Sequence, residues 1–161
     1  MTMDHVNRMT QAEFVEQVGW VFEHSPWVAE RAWGRYADLA AMHQALCDQV
    51  RSASRDEQLS LLRAHPDLGT RARMSDASTG EQSGAGLDRL TRDEFERLQS
   101  ANRLYRDKFG FPFLFAVKGS NKYDILEAIE KRVNSSHDQE FNTALEQVFR
   151  IASFRLQDLL T

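Results

Sequence analysis

Three copies of one helix-starting device set what this chain can fold into. Thr10-Gln11-Ala12-Glu13, Ser54-Arg55-Asp56-Glu57 and Thr91-Arg92-Asp93-Glu94 each place a hydroxyl three residues before a glutamate. In such a capping box the hydroxyl accepts from an otherwise orphaned backbone N–H, and the glutamate reaches back to the N–H of the cap residue. Apolar residues at helical spacing follow each box. They are Phe14, Val18, Val21 and Phe22, then Leu59, Leu61 and Leu62, then Phe95, Leu98, Leu104 and Tyr105.

Further starts follow the same logic. Ser25-Pro26 reads as an N-cap followed by proline at the first helical position, opening a helix with Trp27, Val28 and Trp33. Asp38 is expected to cap a helix bearing Leu39, Met42, Leu46 and Val50. Ser120-Asn121 starts one through Ile125, Leu126 and Ile129. The stripe Phe141, Leu145, Val148, Phe149, Ala152 and Leu156 predicts a last helix begun near Ser136 or Asp138. The helix after Ser54 should end near Ala64, because Pro66 pushes the preceding residue, His65, out of the helical region.

Two stretches break the pattern. Residues 69–86 are rich in Gly, Ser, Ala and Thr and read as a long loop with short helical pieces, with Asp67 a candidate cap for a short turn just before it. The run from Phe109 to Val117 is nearly all apolar, with Gly110 and Pro112 inside it, and reads as extended and buried. The expected fold is all-α, a single compact domain over residues 1–161. It has about seven or eight helices and one extended apolar segment near 109–117.

Composition narrows the function classes. A chain of 161 residues can bury a real core. With 8 Gly and 3 Pro it is too poor in turn formers for a β-sandwich. A net charge of -4 offers no basic face for nucleic acid. The lone Cys47 excludes an internal disulfide framework and fits a reducing compartment. Its place in the helical run from Met42 predicts a small buried apolar role. No run approaches the roughly 20 apolar residues of a membrane span. The polar start and the ending Gln157-Asp158-Leu159-Leu160-Thr161 match no secretory, peroxisomal or retention signal, so the cytoplasm is the expected location. His5, His24, His43 and His137 share no metal-ligand spacing, and no phosphate-binding glycine run is present. Trp20, Trp27 and Trp33 are expected to be core or interface aromatics.

One cluster stands apart. Ala64-His65-Pro66-Asp67-Leu68-Gly69 and Glu81-Gln82 put a histidine, a carboxylate and an amide in breaker-rich segments. Histidine titrates near neutral pH and a carboxylate can orient it. An acid/base site is one reading. A helix-end histidine bonding a free carbonyl and a surface glutamate are the other. Arg155, beside the last apolar stripe, could snorkel to the surface or clamp a carboxylate bidentately.

Four ordered motifs go further. They are Phe22-Glu23-His24-Ser25-Pro26-Trp27, then Ala64 to Gly69, then Ser78-Thr79-Gly80-Glu81-Gln82 running into Gly86-Leu87. The fourth is Tyr105 to Phe113 with Ala116-Val117-Lys118-Gly119. In these the chain resembles 2-oxo-4-hydroxy-4-carboxy-5-ureidoimidazoline (OHCU) decarboxylase, an enzyme of urate breakdown, over nearly its whole length. The resemblance implies an all-helical homodimer that needs no metal or organic cofactor and converts its small-molecule substrate to (S)-allantoin with loss of CO2. It also implies that His65 is the catalytic histidine and Glu81 its acidic partner, with Pro66, Ser78 and Gln82 lining the substrate site. Phe113, Leu114, Phe115, Ala116 and Val117 would supply backbone contacts, and Arg155 a polar clamp. The alternatives are a non-catalytic helical interaction module or a related lyase on another ureido acid.

Overall fold

The structure, a computed structural model, describes residues 1–70 and 74–160. Among these residues it holds nine α-helices, one 3-10 turn and no strand. The chain divides into two compact units: Met1–Ala64 with the chain from Phe149 onward, and His65–Val148.

The first unit holds α1 (Met3–Asn7), α2 (Gln11–Val18), the 3-10 turn Gly19–Val21, α3 (Trp27–Ala32), α4 (Leu39–Arg51), α5 (Arg55–Arg63) and the later part of α9 (His137–Leu159). Its core includes Phe14, Phe22, Val28, Met42, Leu46, Leu61, Leu62 and Leu156. The second unit holds α6 (Asp76–Gly84), α7 (Arg92–Phe109), α8 (Lys122–Arg132) and the start of α9. Leu98, Tyr105, Phe113, Ile125, Leu126, Ile129 and Ala144 are buried there.

Local capping chemistry explains most boundaries. The boxes at Ser54 and Thr91 are complete in both directions. At Thr10 only half forms: its hydroxyl accepts from the Glu13 N–H, but the Glu13 carboxylate takes the hydroxyl proton of Thr10 rather than its backbone N–H. Asp38 accepts from Ala41 N at 2.8 Å, and Asn121 from the N–H groups of Tyr123 and Asp124 at 3.0 Å each. Helix α5 ends at its cap Ala64, one residue before His65. Gly110 ends α7 in the left-handed region at φ 79°, where a side chain would be strained.

Several expectations are corrected. Ser25 does not cap α3: its hydroxyl donates to the Glu23 carbonyl at 2.9 Å, and the helix starts after Pro26. A serine hydroxyl free to bond a nearby carbonyl competes with its own capping role. Trp33 lies beyond α3; of the core and interface roles expected for the tryptophans, the core is excluded for the exposed Trp20 and Trp33, while Trp27 is half-buried with the Arg31 guanidinium 4.6 Å over its ring. Asp67 caps no turn with its side chain, which instead pairs with Arg106 at 2.9 Å. The stretch 69–86, expected to be a loop with short helical pieces, holds one helix of nine residues, α6. It lacks an apolar stripe. Its start is held by Ser75, which accepts from Ser78 N at 3.1 Å, and by the Thr79 hydroxyl on the Ser75 carbonyl at 3.0 Å. With α1, which Thr2 caps and buried Val6 anchors, α6 brings the count above seven or eight.

The apolar segment is non-helical and buried as expected but begins at Phe111, two residues later than expected, because Phe109 ends α7 and Gly110 caps it. From Phe111 to Val117 there is no helix, and every residue but the half-buried Phe115 is buried. Cys47 is buried, and that burial pushes its thiol up to about 12. No helix among the described residues is long and apolar enough to cross a membrane.

Candidate active site

His65 is the first residue after the α5 cap and is 7% exposed. The loop it opens is pinned atom by atom. Asp67 Oδ1 accepts from Arg106 Nη2 at 2.9 Å, the Leu68 carbonyl from Asn102 Nδ2 at 2.9 Å, and Gly69 N–H donates to Gln82 Oε1 at 2.9 Å. Gly69 sits at φ +71°, and a Cβ there would lie 2.6 Å from Leu98 Cδ2. Only glycine lets the loop come this close to α7. A backbone held this way leaves the imidazole little freedom to stray.

Of the other expected site residues of this unit, Gln82 is bonded to that loop. Pro66 is half-buried. Ser78 and Gln82, four apart on α6, are both buried, and Glu81 beside them is half-buried. Residues three and four apart share a helix face. The bond between Gly69 and Gln82 ties α6 to the loop that His65 opens. Gln82 spends its acceptor on that bond; among the described residues its amide N–H2 meets only the sulfur of Met74, at 3.4 Å, and so keeps donor capacity.

Helix α7 links the loop to the apolar segment. Asn102 grips Leu68, and Tyr105, one turn on, packs edge-on against Phe113 with ring centroids 5.3 Å apart. The Tyr105 hydroxyl donates to Glu140 Oε1 at 2.6 Å. Burial, then this bond, pushes the phenol well above its ordinary value. Phe113 and Phe115 stack with centroids 5.9 Å apart. The segment itself is held at two points, by Arg132 Nη1 on the Leu114 carbonyl at 2.6 Å and by Gln147 Oε1 under Ala116 N–H at 2.9 Å.

Arg155 belongs to the first unit and does not snorkel. It is 2% exposed, its Nη2 lies 3.0 Å from Glu23 Oε2, and its Nη1 faces the carbonyls of Trp20 and Val21 at 3.3 and 3.5 Å. No three His, Cys, Asp or Glu side chains among the described residues are grouped so as to hold a metal ion.

The OHCU decarboxylase family model matches residues 7–157. This chain belongs to the OHCU decarboxylase family. It is 46% identical to the 2-oxo-4-hydroxy-4-carboxy-5-ureidoimidazoline decarboxylase of Halalkalicoccus jeotgali, over 99% of this chain and 92% of that protein. It is 47% identical to the enzyme of the same name from Haloferax volcanii, over 98% and 95%. Among solved structures it is similar to an (S)-allantoin synthase, with a TM-score of 0.81 and 34% identity over 99% of this chain. The chain spans about half, 54%, of that solved chain.

Sequence reasoning passed over several side chains that organise this family member. Glu23 sits inside the first of the four motifs, and nothing in that motif marks it as the buried partner of Arg155. Asn102, Arg132, Glu140 and Gln147 were not singled out. A signal was present for Asn102, a polar residue interrupting the helical stripe of Leu98, Tyr105 and Phe109.

Proposed function

We propose that this chain decarboxylates 2-oxo-4-hydroxy-4-carboxy-5-ureidoimidazoline to (S)-allantoin in urate degradation. The observation that carries the reading is identity of 46 and 47% with decarboxylases of that name across nearly the full length of both proteins. The enzyme acts as a cytoplasmic homodimer on this small molecule and draws on no cofactor.

The chemistry can run on side chains and backbone. The bond from C4 to its carboxylate breaks, CO2 leaves, and the electron pair passes into the adjacent C5=N bond, whose nitrogen takes a proton, leaving an enol at C4=C5. The 4-hydroxyl then gives up its proton to become the C4 carbonyl, and a proton is delivered to one face of C5, which sets the (S) centre. His65 is the proton donor and Glu81 the carboxylate that orients it, a pairing that holds tautomer and ring orientation. General acid–base work of this kind is worth about 10²–10⁴-fold. Pro66 and Ser78 bound the site, Gln82 offers its amide N–H2 to the ureido group, and backbone groups of Phe113, Leu114, Phe115, Ala116 and Val117 meet the ring. Arg155 clamps a carboxylate or carbonyl of the substrate. The buried, rigidly held loop of His65 supports its part, since a preorganised donor loses nothing to reorientation.

The test is optical. Substrate generated from urate by oxidation and hydrolysis decays unaided to racemic allantoin. The wild-type chain should speed its disappearance and give a circular dichroism signal of (S)-allantoin, and His65→Asn should lose both while unfolding at the same urea concentration. A racemic product at the unaided rate overturns the assignment and leaves the non-catalytic module. Sedimentation of the same sample reads the dimer.

A further inference from the structure

The apolar segment is gripped through two neighbouring peptide groups, and that grip fixes where their other ends point. Arg132 Nη1 holds the Leu114 carbonyl at 2.6 Å, and Gln147 Oε1 holds the Ala116 N–H at 2.9 Å. The described chain has no cis peptide bond. In a planar trans peptide the C=O and N–H point in opposite directions. The peptide between Leu114 and Phe115 therefore aims the Phe115 N–H away from Arg132. The next peptide aims the Phe115 C=O away from Gln147. Among the described residues neither of these two groups has a hydrogen-bond partner in the protein. Phe115 is the one half-buried residue between 111 and 117, so its N–H and C=O, aimed the same way, form a recognition edge as on an open strand.

The grip is itself anchored. Arg132 Nε donates to Glu140 Oε1 at 2.6 Å, its Nη2 pairs with the same carboxylate, and its guanidinium lies 4.4 Å over the Phe113 ring. Glu140 is 1% exposed and also accepts from Tyr105. Glu140 and Gln147 lie two turns apart on one face of α9. An ion pair between a half-buried guanidinium and a buried carboxylate, with a further donor spent on a backbone carbonyl, is a costly way to hold apolar side chains; it is a direct way to set a peptide plane.

We propose that Arg132, Glu140 and Gln147 are positioning residues that turn the Phe115 N–H and C=O toward the substrate, where the pair reads the amide edge of a cyclic ureide. Such an edge carries one C=O and one N–H side by side on a ring, complementary to this donor and acceptor. The proposal rests on the decarboxylase reading and adds to it the residues that set specificity for the ureide.

The experiment compares Gln147→Leu, Gln147→Glu and Arg132→Lys with wild type for KM and kcat, for calorimetric binding of (S)-allantoin, and for urea unfolding. Gln147→Leu removes the acceptor and should raise KM about tenfold with a smaller change in kcat, the loss expected for one hydrogen bond. Gln147→Glu keeps an acceptor and should stay within about twofold of wild type. Arg132→Lys cannot reach Glu140 and the Leu114 carbonyl together, and should shift KM and (S)-allantoin affinity in the same direction as Gln147→Leu. If Gln147→Leu fails to fold, Arg132→Lys against Gln147→Glu carries the comparison. Active wild type with an unchanged KM in Gln147→Leu and Arg132→Lys overturns this proposal alone. A wild-type chain that neither turns over the substrate nor binds (S)-allantoin overturns the decarboxylase reading and this proposal with it.

Discussion

Arg155 and Glu23 form an ion pair with both side chains out of water, Nη2 to Oε2 at 3.0 Å, 3% and 1% exposed. Removing one partner strands the other charge in a poorly polarisable interior, which costs about 3–5 kcal/mol. Glu23→Ala should therefore lower the free energy of unfolding by that amount. The double variant Glu23→Leu with Arg155→Met should lose less than the two single changes added together, because neither charge is then left alone. Urea unfolding of the four proteins decides this, and additive losses would contradict a coupled pair.

Gly69→Ala should be costly for two separate reasons. The residue sits at φ +71°, and a side chain in the left-handed region loses about 1–2 kcal/mol. The new methyl would also stand 2.6 Å from Leu98 Cδ2, and overpacking typically adds about 1–3 kcal/mol. Leu98 is on α7, so the strain falls on the loop that carries His65. Turnover should fall along with the urea midpoint. A variant within about 0.5 kcal/mol of wild type would show that the loop relaxes without loss.

Gln82 acts on the same loop from α6. Gln82→Leu would leave the buried Gly69 N–H without its 2.9 Å acceptor, a desolvation penalty of about 1–3 kcal/mol. Gln82→Glu keeps an oxygen in place and should retain most of the stability while losing the amide N–H2 offered to substrate. The expected result is therefore a split: Gln82→Leu is destabilised, and Gln82→Glu is folded but raised in KM. Equal stability of both variants would remove Gln82 from the role of loop anchor.

The division between what could and could not be read in advance follows the range of the interactions. The caps at Asp38, Ser54, Thr91 and Asn121 are made by side chains that reach two or three residues along the chain, so the pattern that encodes them is local. The stop at Ala64 is equally local, set by Pro66. The bounds of α6 could not be read because apolar periodicity is the usual mark of a helix, and this one buries the polar Ser78 and Gln82. Its partner on the loop, Gly69, lies beyond a helix-period window. The same holds for Arg155 with Glu23, Arg132 with Leu114, and Gln147 with Ala116, which join residues far apart in sequence. The residues expected at the site could be named from family motifs, but the groups that hold them in place become visible only when distant segments meet.

Cys47 should be chemically silent in the folded chain. Burial pushes its thiol up to about 12, so the reactive thiolate is a trace species at mildly alkaline pH. A disulfide reagent should label no thiol in the native protein and one in guanidinium. Rapid native labelling would mean that α4 opens readily.

Acid should weaken the link between Glu57 and Arg31 in a defined window. The hydrogen bond from Arg31, and then the backbone N–H of Ser54, hold the Glu57 carboxyl down at about 2, against an ordinary value of about 4.3. A depressed folded-state value means that the charged form stabilises the fold. The contribution is complete above the unfolded-state value and disappears as pH falls toward the folded one. Wild type should thus exceed Glu57→Gln in urea midpoint near neutral pH, and the gap should close between about pH 4.3 and about pH 2. Both partners are exposed to solvent, so high salt should narrow the gap at every pH. A gap that stays constant from neutral pH down to about pH 2 would show that Glu57 acts through its shape as a cap rather than through its charge.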